Sequence, residues 1–527
     1  MMNNRRDFLK LAALGGAAAL TGFSSASFGQ GGDIRRFGIC ANTDSLKRFP
    51  DYFDLIVGSG ITDVWMPVFL NGYWPYQMEE IAIWKSKFEK KGIVVQSLSV
   101  PLGHPGSSLG GDPSLDTTPA NWPKGVDIDG KSYSGTSVHK LITKENQSVI
   151  QKVSKAGFQK LFLDDDFRLA RSPGQIGGCF CEEHQTEFLN KYGYGNTDWL
   201  QLKQKIKDRE LSKILRSWIE FICDDLTQSF RAQQAAAHEV QLGIMVMYLG
   251  SEKAGIRLSD YSNTLFRVGE LMFEDKSFNP LKGKTNELFS ALFHRRFVKP
   301  EMAYSETTAY PADKLSATNM AAKLHITTIA DIRNTMMMSG LEPFPLTHFS
   351  TLAPVMKKTA AIHKKVAGQV PQGPFKHFWG ASSRMVGKNQ PNSLFLASGI
   401  PFEVTNTPAS DGWTFLSEFD INDFVTGKLK SNGTTLIHGS VKHNPDGIRY
   451  VGESIEDVFA FKREIISQFK DVPYVEEDKP VVCTWYPKIK SVLLWNLLET
   501  KETFTLKYME KRYTVEIGAL DVELIRI

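Results

Sequence analysis

The sequence predicts an α/β protein whose largest part is a closed (β/α)8 TIM barrel, followed by a smaller α/β domain and a small C-terminal β domain. Apolar runs alternate with segments of helical periodicity from residue 37 to residue 341, and polar residues collect just after several of these runs. The character of the sequence then changes near residue 366. Because single cores rarely exceed roughly 250–300 residues, a chain of 527 residues should hold two or three domains.

Eight apolar runs are candidates for the barrel strands. In chain order they cover residues 37–41, 63–69, 93–98, 160–164, 241–247, 270–273, 302–304 and 335–341. Near-continuous apolar runs separated by amphipathic helices are typical of a parallel sheet covered by helices. A barrel enzyme places its chemistry at the carboxyl ends of the strands. We therefore expect the long segment 101–133, rich in Gly, Ser, Pro and Asp, to lie over that end and shape a cleft.

The chain divides where its composition changes. A Pro-Gln-Gly-Pro linker at 371–374 follows the barrel, and short alternating strands with charged turns occupy the last part of the chain. The predicted divisions are an export signal over 1–30, the barrel over 31–368, the α/β domain over 369–475 and an antiparallel β domain over 476–527.

The N-terminus has the pattern of a cleavable export signal. Arg5 and Arg6 precede a short apolar stretch at 11–20, and small residues follow at 24–26. The stretch is shorter than the ~20 residues that span a bilayer, and paired arginines before Phe-Leu-Lys indicate the twin-arginine route. We therefore expect a periplasmic or secreted protein with no stable membrane anchor; the alternative is a basic start before a buried helix.

Charge and composition exclude some partners. The formal net charge of +4 falls to +2 when residues 1–26, which carry Arg5, Arg6, Lys10 and Asp7, are removed, so we expect no nucleic-acid partner. The five cysteines are an odd count, which argues against a disulfide framework. The ten tryptophans, several of them in Gly-rich loops, favour a carbohydrate partner because aromatic rings stack on sugar faces, although most Trp are simply core.

Three consecutive carboxylates follow the fourth run, at Asp164, Asp165 and Asp166. Like charges this close raise the pKa of at least one of them, as a general acid near neutral pH requires. Arg168 could keep another of them ionised. The alternative is a solvated acidic turn or a helix cap.

Glu306 follows the seventh run among small, hydroxyl and aromatic residues that include Tyr304. Cleavage of a glycosidic bond requires one protonated and one ionised carboxyl group, and Asp166 and Glu306 are the candidate pair. Two competitors for Glu306 are Glu301, placed at a strand entry, and Glu274, followed at once by two charged residues. Glu306 could instead cap a helix or form a surface ion pair.

Cys179, Cys181 and His184 lie within six residues of one another. Two thiolates and an imidazole at this spacing can bind one tetrahedral Zn²⁺, and cysteines two apart rarely form a disulfide with each other. The best candidate for a fourth ligand is His104, in the loop after the third run. The alternative is two buried thiols beside an exposed histidine.

Together these motifs resemble glycoside hydrolase family 42, the β-galactosidase-like barrel enzymes. That family has Asp-Asn-Glu-Tyr at the end of the fourth strand, and Asp164-Asp165-Asp166-Phe167 follows the pattern with Asp166 in place of the acid/base Glu. A Cys-Tyr-Cys-x-x-Cys zinc motif comes next in the family, and here Cys179 to His184 stand in the same order. The resemblance implies Glu306 as nucleophile, a flavodoxin-like second domain and a homotrimer.

The departures from the family pattern bear on specificity. Asp in place of Glu shortens the acid by one methylene, roughly 1.5 Å, which matters for a positioned proton transfer. Asp165 replaces an Asn that in such enzymes binds a sugar hydroxyl. These differences question a galactoside substrate and leave open whether the acid is Asp166 or Asp165.

The sequence therefore predicts an exported retaining glycosidase without an organic cofactor, with Asp166 as acid/base and Glu306 as nucleophile. Further candidates for contact with the carbohydrate substrate are Asp164, Arg168 and Tyr304, with Trp65, Tyr73 and Trp74 as a stacking platform. Two alternatives are a sugar-binding barrel that has lost catalysis and a metal-dependent barrel enzyme that holds an ion at 164–166.

Overall fold

Eight parallel strands close into a barrel in the computed structural model, which describes residues 35–102, 118–133, 138–164, 167–172, 174–246, 248–441 and 445–527. The strands follow one another around the barrel in chain order, and the last pairs with the first through Asn334 and Arg36. They are Arg36–Cys40 (β1), Asp63–Leu70 (β2), Val94–Val100 (β3), Lys160–Leu163 (β4), Gln241–Met245 (β5), Leu265–Val268 (β6), Ala303–Ser305 (β7) and Asn334–Met337 (β8). The predicted barrel is confirmed.

The sixth strand was predicted wrongly. It was expected at 270–273, but β6 covers Leu265–Val268, so Glu270 and its neighbours lie beyond the carboxyl end of the strand. The apolar pattern misses β6 because Arg267 interrupts it. Arg267 is fully buried, and its guanidinium donates to the carboxylate of Asp164 beyond β4.

Helices surround the barrel. The longest, Lys213–Ala236, begins where the Ser212 hydroxyl accepts a hydrogen bond from the Leu215 N–H, as N-terminal capping residues do. Those within the described part of the barrel are Thr43–Arg48, Pro50–Gly58, Met78–Glu89, Lys140–Lys155, Glu182–Tyr192, Asn196–Asp208, Lys213–Ala236, Asp275–Phe278, Leu281–His294, Ala317–Ile329 and His348–Val366. None of the described helices has both the length and the apolar character needed to cross a membrane.

The segment expected to be irregular between 101 and 133 contains a short hairpin, Gly125–Val126 paired with Ser132–Tyr133. Residues 103–117 lie outside the described part of the chain. The hairpin contacts the Cys179 region: the Phe180 N–H donates to the Val126 carbonyl over 2.9 Å. This part of the segment thus packs beside the predicted metal motif.

A second, smaller α/β domain follows the barrel. Its five strands are all parallel, in the order β10-β9-β11-β12-β13, which is the flavodoxin-like order. They are Phe375–Phe378 (β9), Phe402–Thr405 (β10), Trp413–Leu416 (β11), Thr435–His438 (β12) and Arg449–Tyr450 (β13). The accompanying helices are Ala381–Val386, Glu418–Val425 and Ile455–Ile465.

Two antiparallel three-stranded sheets form the C-terminal part. Their strands are Tyr474–Val475 (β14), Val481–Tyr486 (β15), Ser491–Asn496 (β16), Glu502–Tyr508 (β17), Lys511–Ile517 (β18) and Val522–Arg526 (β19). β14, β17 and β18 form one sheet, and β15, β16 and β19 form the other. This part contacts the barrel, because Lys358 forms an ion pair with Asp521 at 2.7 Å.

The buried His377, in β9, should make the free energy of unfolding depend on pH. Its ring lies 4.5 Å from Phe289 of a barrel helix and 5.1 Å from Phe415, and burial lowers its pKa to about 3. In the unfolded chain its pKa is about 6.5, so between these values only the unfolded state binds the proton. The contribution of His377 to the free energy of unfolding is therefore fully present above pH ~6.5. It is lost as the pH falls below that value, by up to about 1.4 kcal/mol per pH unit.

We expect His377→Phe to weaken this pH dependence, measured as the change in urea-unfolding free energy between pH 7 and pH 5. His294 is buried with its pKa also lowered to about 3, so part of the wild-type dependence should persist in the variant. The exposed His238, in a left-handed backbone conformation at φ 44°, offers the control His238→Asn. Equal pH dependence in wild type and His377→Phe would contradict the assignment.

Candidate active site

Glu306 lies just beyond β7, at the carboxyl end of the barrel, and is 3% exposed. Its Oε2 accepts a hydrogen bond of 2.7 Å from the backbone N–H of Glu270, and its Oε1 lies 3.7 Å from the guanidinium of Arg267. An N–H donor and a cation both stabilise negative charge on a buried carboxylate. The two contacts also fix the orientation of the carboxylate.

Arg267 links the end of β7 to the end of β4. It is fully buried in β6, and its Nη1 donates to Asp164 while Nη2 lies 2.9 Å from the Met338 sulfur. Asp164 is itself 3% exposed. One guanidinium therefore contacts two carboxylates that come from different strand ends. The predicted acid residues Asp165 and Asp166 follow Asp164 in the sequence and lie outside the described residues.

A second buried charge cluster supports Glu306 from below. The Lys323 ammonium, fully buried, contacts Glu270 at 2.7 Å and Glu287 at 3.8 Å. Glu287 in turn accepts hydrogen bonds from the backbone N–H groups of Leu271 and Met272, at 2.8 and 2.5 Å. Burial raises the pKa of Glu287 to about 7, against the opposing effect of Lys323. The cluster fixes the segment whose N–H binds Glu306.

Glu270, Glu287 and Lys323 were not predicted from the sequence to be parts of the site. Glu287 and Lys323 lie inside the helices Leu281–His294 and Ala317–Ile329, where an isolated charge looks like a surface residue. Glu270 was predicted to begin the sixth strand, whereas β6 ends before it, at Val268. The available signal was in the second helix, where Lys323 is the one Asp, Glu, Lys or Arg, so a Lys among largely uncharged neighbours needs a buried partner. The helix Leu281–His294 carries two further lysines and gave no such signal.

Two predicted substrate contacts are corrected by the structure. Trp65 is 1% exposed and fills the barrel interior, with its ring 5.0 Å from Phe162 and 5.7 Å from Tyr304. Tyr304 is 4% exposed, and its hydroxyl accepts from Lys160 at 2.9 Å. Lys160 begins β4, so Tyr304 extends toward the amino ends of the strands. Inward-pointing side chains fill small barrels, and these two aromatics do so here.

The other predicted contacts differ in exposure. Tyr73 follows β2 and is 39% exposed. Trp74 is half-buried on Phe69, with the Lys152 ammonium 4.6 Å from its ring centre. Arg168 is 6% exposed and donates to the Ala170 carbonyl over 2.9 Å. Tyr73 is therefore the described member of the predicted platform that offers an open ring.

The competitors of Glu306 occupy other environments. Glu301 is exposed and lies before β7, in the short turn Pro300–Met302 at the amino end of the strand. Glu274 is the N-terminal capping residue of the short helix Asp275–Phe278. Of the three glutamates, Glu306 alone lies directly after a barrel strand and contacts Arg267.

Cys179, Cys181, His184 and His139 form a compact cluster. Their ligand atoms all lie within 4.8 Å of one another. The Cys181 sulfur is 3.1 Å from Nδ1 of His184, and the rings of His139 and His184 are 4.7 Å apart. His104, the predicted fourth ligand, lies outside the described residues. The described part of the chain instead brings in His139, which precedes the helix Lys140–Lys155 and was not singled out from the sequence.

The surroundings of this cluster are charged. Nε2 of His184 lies 3.6 Å from Asp225, whose pKa burial raises to about 6. Burial would lower the pKa of His184, but hydrogen bonds to Cys179 and Cys181 outweigh it and raise that pKa to about 10. Nδ1 of His139 lies 3.1 Å from Glu183. Its buried Nε2 has no hydrogen-bond partner among the described residues.

A family model of the twin-arginine translocation pathway signal sequence matches residues 2–22. The chain therefore carries an export signal of this pathway, as predicted. No curated protein sequence matches the chain.

Solved structures with this architecture include three bacterial β-galactosidases. That of Rahnella sp. R3 has a TM-score of 0.61 at 10% identity, over 94% of this chain and 98% of its own. That of Bacillus circulans sp. alkalophilus has a TM-score of 0.60 at 9% identity, and the match covers 93% of this chain and 98% of the β-galactosidase chain. That of Marinomonas ef1 has a TM-score of 0.54 at 9% identity, and the match covers 93% of this chain and 99% of the β-galactosidase chain. At these identities the likeness is one of fold, extending over the barrel and both following domains.

Proposed function

We propose that this chain is an exported glycoside hydrolase that cleaves oligo- or polysaccharides outside the cytoplasm by retaining double displacement. The observation that carries the proposal is the contact of Arg267 with both Glu306 and Asp164. It links the ends of β7 and β4, the two strands that the candidate carboxylates Glu306 and Asp166 follow in the sequence. The twin-arginine signal supports a periplasmic or secreted site of action.

In the proposed reaction, Glu306 attacks the anomeric carbon while Asp166, or Asp165, protonates the leaving oxygen. The bond from the anomeric carbon to that oxygen breaks, and a glycosyl ester of Glu306 forms. The same Asp then removes a proton from water, which releases the sugar with its original configuration. The Arg267 guanidinium and the Glu270 N–H stabilise negative charge on the Glu306 carboxylate and fix its orientation.

A trapping experiment tests the nucleophile directly. A 2-deoxy-2-fluoro glycoside of a sugar that the protein cleaves should label it covalently, and mass spectrometry of the digest should place the label on Glu306. A label on another carboxylate would move the nucleophile, and inverted product in ¹H NMR would contradict double displacement.

A metal-dependent reaction is the weaker alternative within the described residues. Among the described residues, one group of three or more potential ligands is close enough together to hold an ion. It consists of His139, Cys179, Cys181 and His184, and Glu306 is not part of it. The carboxylates of Asp164 and Glu306 face Arg267. Full activity after exhaustive chelation would remove this alternative. A sugar-binding barrel without catalysis would be indicated by calorimetric binding of glycans that the protein never cleaves.

We further propose that Cys179, Cys181, His184 and His139 bind a structural zinc ion. A tetrahedral zinc ion with bonds of about 2.0–2.3 Å requires ligand atoms about 3.3–3.8 Å apart. The four ligand atoms here lie within 4.8 Å of one another, so shifts of about 1 Å or less would bring them to that spacing. The unpartnered Nε2 of His139 gains a ligand role, and Asp225 behind His184 is the carboxylate that commonly orients a zinc-bound imidazole. The ion would tie the start of the helix Lys140–Lys155, through His139, to the start of the helix Glu182–Tyr192.

We expect Cys181→Ala to lower the zinc content of the purified protein from about one ion per chain to near zero and to lower its melting temperature. Binding of a structural zinc ion contributes directly to folding free energy, so its loss is expected to cost several degrees. Elemental analysis and thermal unfolding measure the two effects. The matched control is Cys483→Ala, a fully buried thiol in β15, which should keep its zinc. Equal zinc in both variants would contradict the site.

A further inference from the structure

Three consecutive methionines, Met336, Met337 and Met338, lie at the carboxyl end of β8. The first two belong to the strand and are 0% and 1% exposed. Met338 follows the strand, is half-buried, and lines an open cleft at the barrel mouth together with Asp164. Of the three, Met338 is therefore the one that a small molecule in solvent can reach.

The Met338 sulfur also contacts the cation of the candidate active site. Nη2 of Arg267 donates to this sulfur over 2.9 Å, and the same nitrogen lies 3.7 Å from Oε1 of Glu306. The other terminal nitrogen of Arg267, Nη1, donates to Asp164. Arg267 is fully buried, so its guanidinium cannot turn to water for a replacement partner. Met338 and Glu306 therefore share one nitrogen of a buried cation.

Oxidation of the Met338 sulfur would change this contact. A thioether is a weak hydrogen-bond acceptor, whereas a sulfoxide is polar and its oxygen accepts strongly. The 2.9 Å between the sulfur and Nη2 of Arg267 leaves no room for an oxygen atom between them, so the sulfur or the guanidinium must move. The new oxygen then competes with Glu306 for Nη2. The Glu306 carboxylate would thereby lose part of the charge stabilisation that Arg267 gives it.

We propose that Met338 is a site of oxidation by peroxide, and that its sulfoxide lowers the activity of the barrel by drawing Arg267 away from Glu306. The sulfur takes one oxygen atom from hydrogen peroxide: the O–O bond breaks, an S–O bond forms, and the other oxygen leaves with both protons as water. The sulfur is oxidised by two electrons, and methionine sulfoxide reductases reverse the change. The effect on rate rests on the proposed glycosidase function, whereas the oxidation itself does not.

The first arm of the test maps oxidation in the wild-type protein and needs no turnover. After brief exposure to hydrogen peroxide, tandem mass spectrometry of the digest assigns the added oxygen to individual methionines. We expect sulfoxide to form at Met338 at least about tenfold faster than at Met336 or Met337, because burial protects a side chain from a reagent in solvent. Met509, 49% exposed in the turn between β17 and β18, is the positive control for the reagent.

The second arm measures hydrolysis of a glycoside that the wild type cleaves, before and after treatment. Once Met338 is fully converted, we expect kcat/KM to fall at least about tenfold, the usual effect of weakening a contact with a charged group. Met338→Leu keeps a side chain of similar volume without the sulfur, so its treated and untreated samples should agree within about twofold. Met509→Leu, the matched control, should lose as much activity on treatment as the wild type.

Peroxide also oxidises thiols, and Cys40 lines the same cleft. This cysteine is present in the wild type and in Met338→Leu alike, so the difference between the two isolates the methionine. Dithiothreitol alone reduces sulfenic acids and disulfides, whereas methionine sulfoxide also requires the reductases, one for each sulfoxide epimer. Treated wild type should therefore regain its activity with the reductases and dithiothreitol together, and not with dithiothreitol alone.

The outcomes bear separately on the site, on its effect and on the glycosidase function. Equal oxidation rates at Met336, Met337 and Met338 would overturn the site. Full conversion of Met338 with unchanged kcat/KM, or equal losses in wild type and Met338→Leu, would overturn the effect on Arg267. If no glycoside in a broad panel is cleaved, the glycosidase function is contradicted and the peptide map still decides the site. The melting temperature then decides the displacement of Arg267, since oxidation should lower it in the wild type and not in Met338→Leu.

Discussion

Replacing Glu306 by Gln is expected to lower kcat/KM at least about a thousandfold on any glycoside that the wild type cleaves, within the range of losses seen when a catalytic group is removed. The amide is nearly isosteric, and its oxygen can still accept from the Glu270 N–H, so the fold should persist. It cannot form the glycosyl ester. Steady-state kinetics and thermal unfolding on the same preparation separate loss of chemistry from loss of structure.

The control is Glu301→Gln, because Glu301 is exposed at the opposite end of β7. We expect its activity to stay within about twofold of the wild type, as surface substitutions away from a site usually do. If Glu306→Gln retained full hydrolysis, the proposed nucleophile would be wrong.

The acid can be assigned by the same approach. Asp166→Asn and Asp165→Asn are compared on a nitrophenyl glycoside and on an alkyl glycoside of the same sugar. A good leaving group requires little protonation, so loss of the acid should slow the alkyl substrate by about a hundredfold or more and the nitrophenyl substrate far less. The variant with that unequal loss identifies the acid, and equal losses on both substrates would argue against that residue.

The second large effect is expected at Lys323. Its replacement by Met leaves Glu270 and Glu287 buried without their cation, and breaking a buried ion pair in this way costs roughly 3–5 kcal/mol. Chemical denaturation measures the loss in unfolding free energy. Because Glu270 supplies the N–H that holds Glu306, we also expect a lower kcat in whatever fraction remains folded.

Two further variants make this prediction specific. Lys314→Met removes an exposed lysine whose ion pair with Asp313 at 3.4 Å is a surface one, so it should change stability by about 0–1 kcal/mol. Adding Glu270→Gln and Glu287→Gln to Lys323→Met removes the unpaired charges and should recover much of the lost stability. A loss below about 1 kcal/mol for Lys323→Met alone would show that the cluster is not a stabilising ion pair.

The barrel was predictable because seven of its eight strands coincide with apolar runs in the sequence. Such runs, separated by helical segments, are typical of a buried parallel sheet. The sixth run was misplaced because Arg267 is the residue that a core-facing strand is least expected to contain. The same residue contacts Asp164 and Glu306. The prediction therefore failed at β6, where a buried charged residue stands at a position that core strands usually fill with an apolar one.

The carboxylate Glu306 could be proposed from its position after a strand, whereas its supports could not. Glu270, Glu287 and Lys323 come from three separate elements, and only the folded arrangement brings them together. His139, the proposed fourth zinc ligand, likewise lies 40 residues before Cys179, without a motif to connect them. Trp65 and Tyr304 were misjudged because a sequence does not state toward which end of a barrel an inward side chain extends.

The pairing of β1 with β8 has a consequence for the timing of biosynthesis. Arg36 and Asn334 are partners across the barrel seam, 298 positions apart in the chain. At about 5–20 residues per second, a ribosome needs roughly 15–60 seconds between synthesising one and the other. The signal at residues 2–22 is synthesised before either of them. The barrel therefore cannot close until β8 has been synthesised, so the chain carries its export signal for this whole interval before its largest domain can be complete.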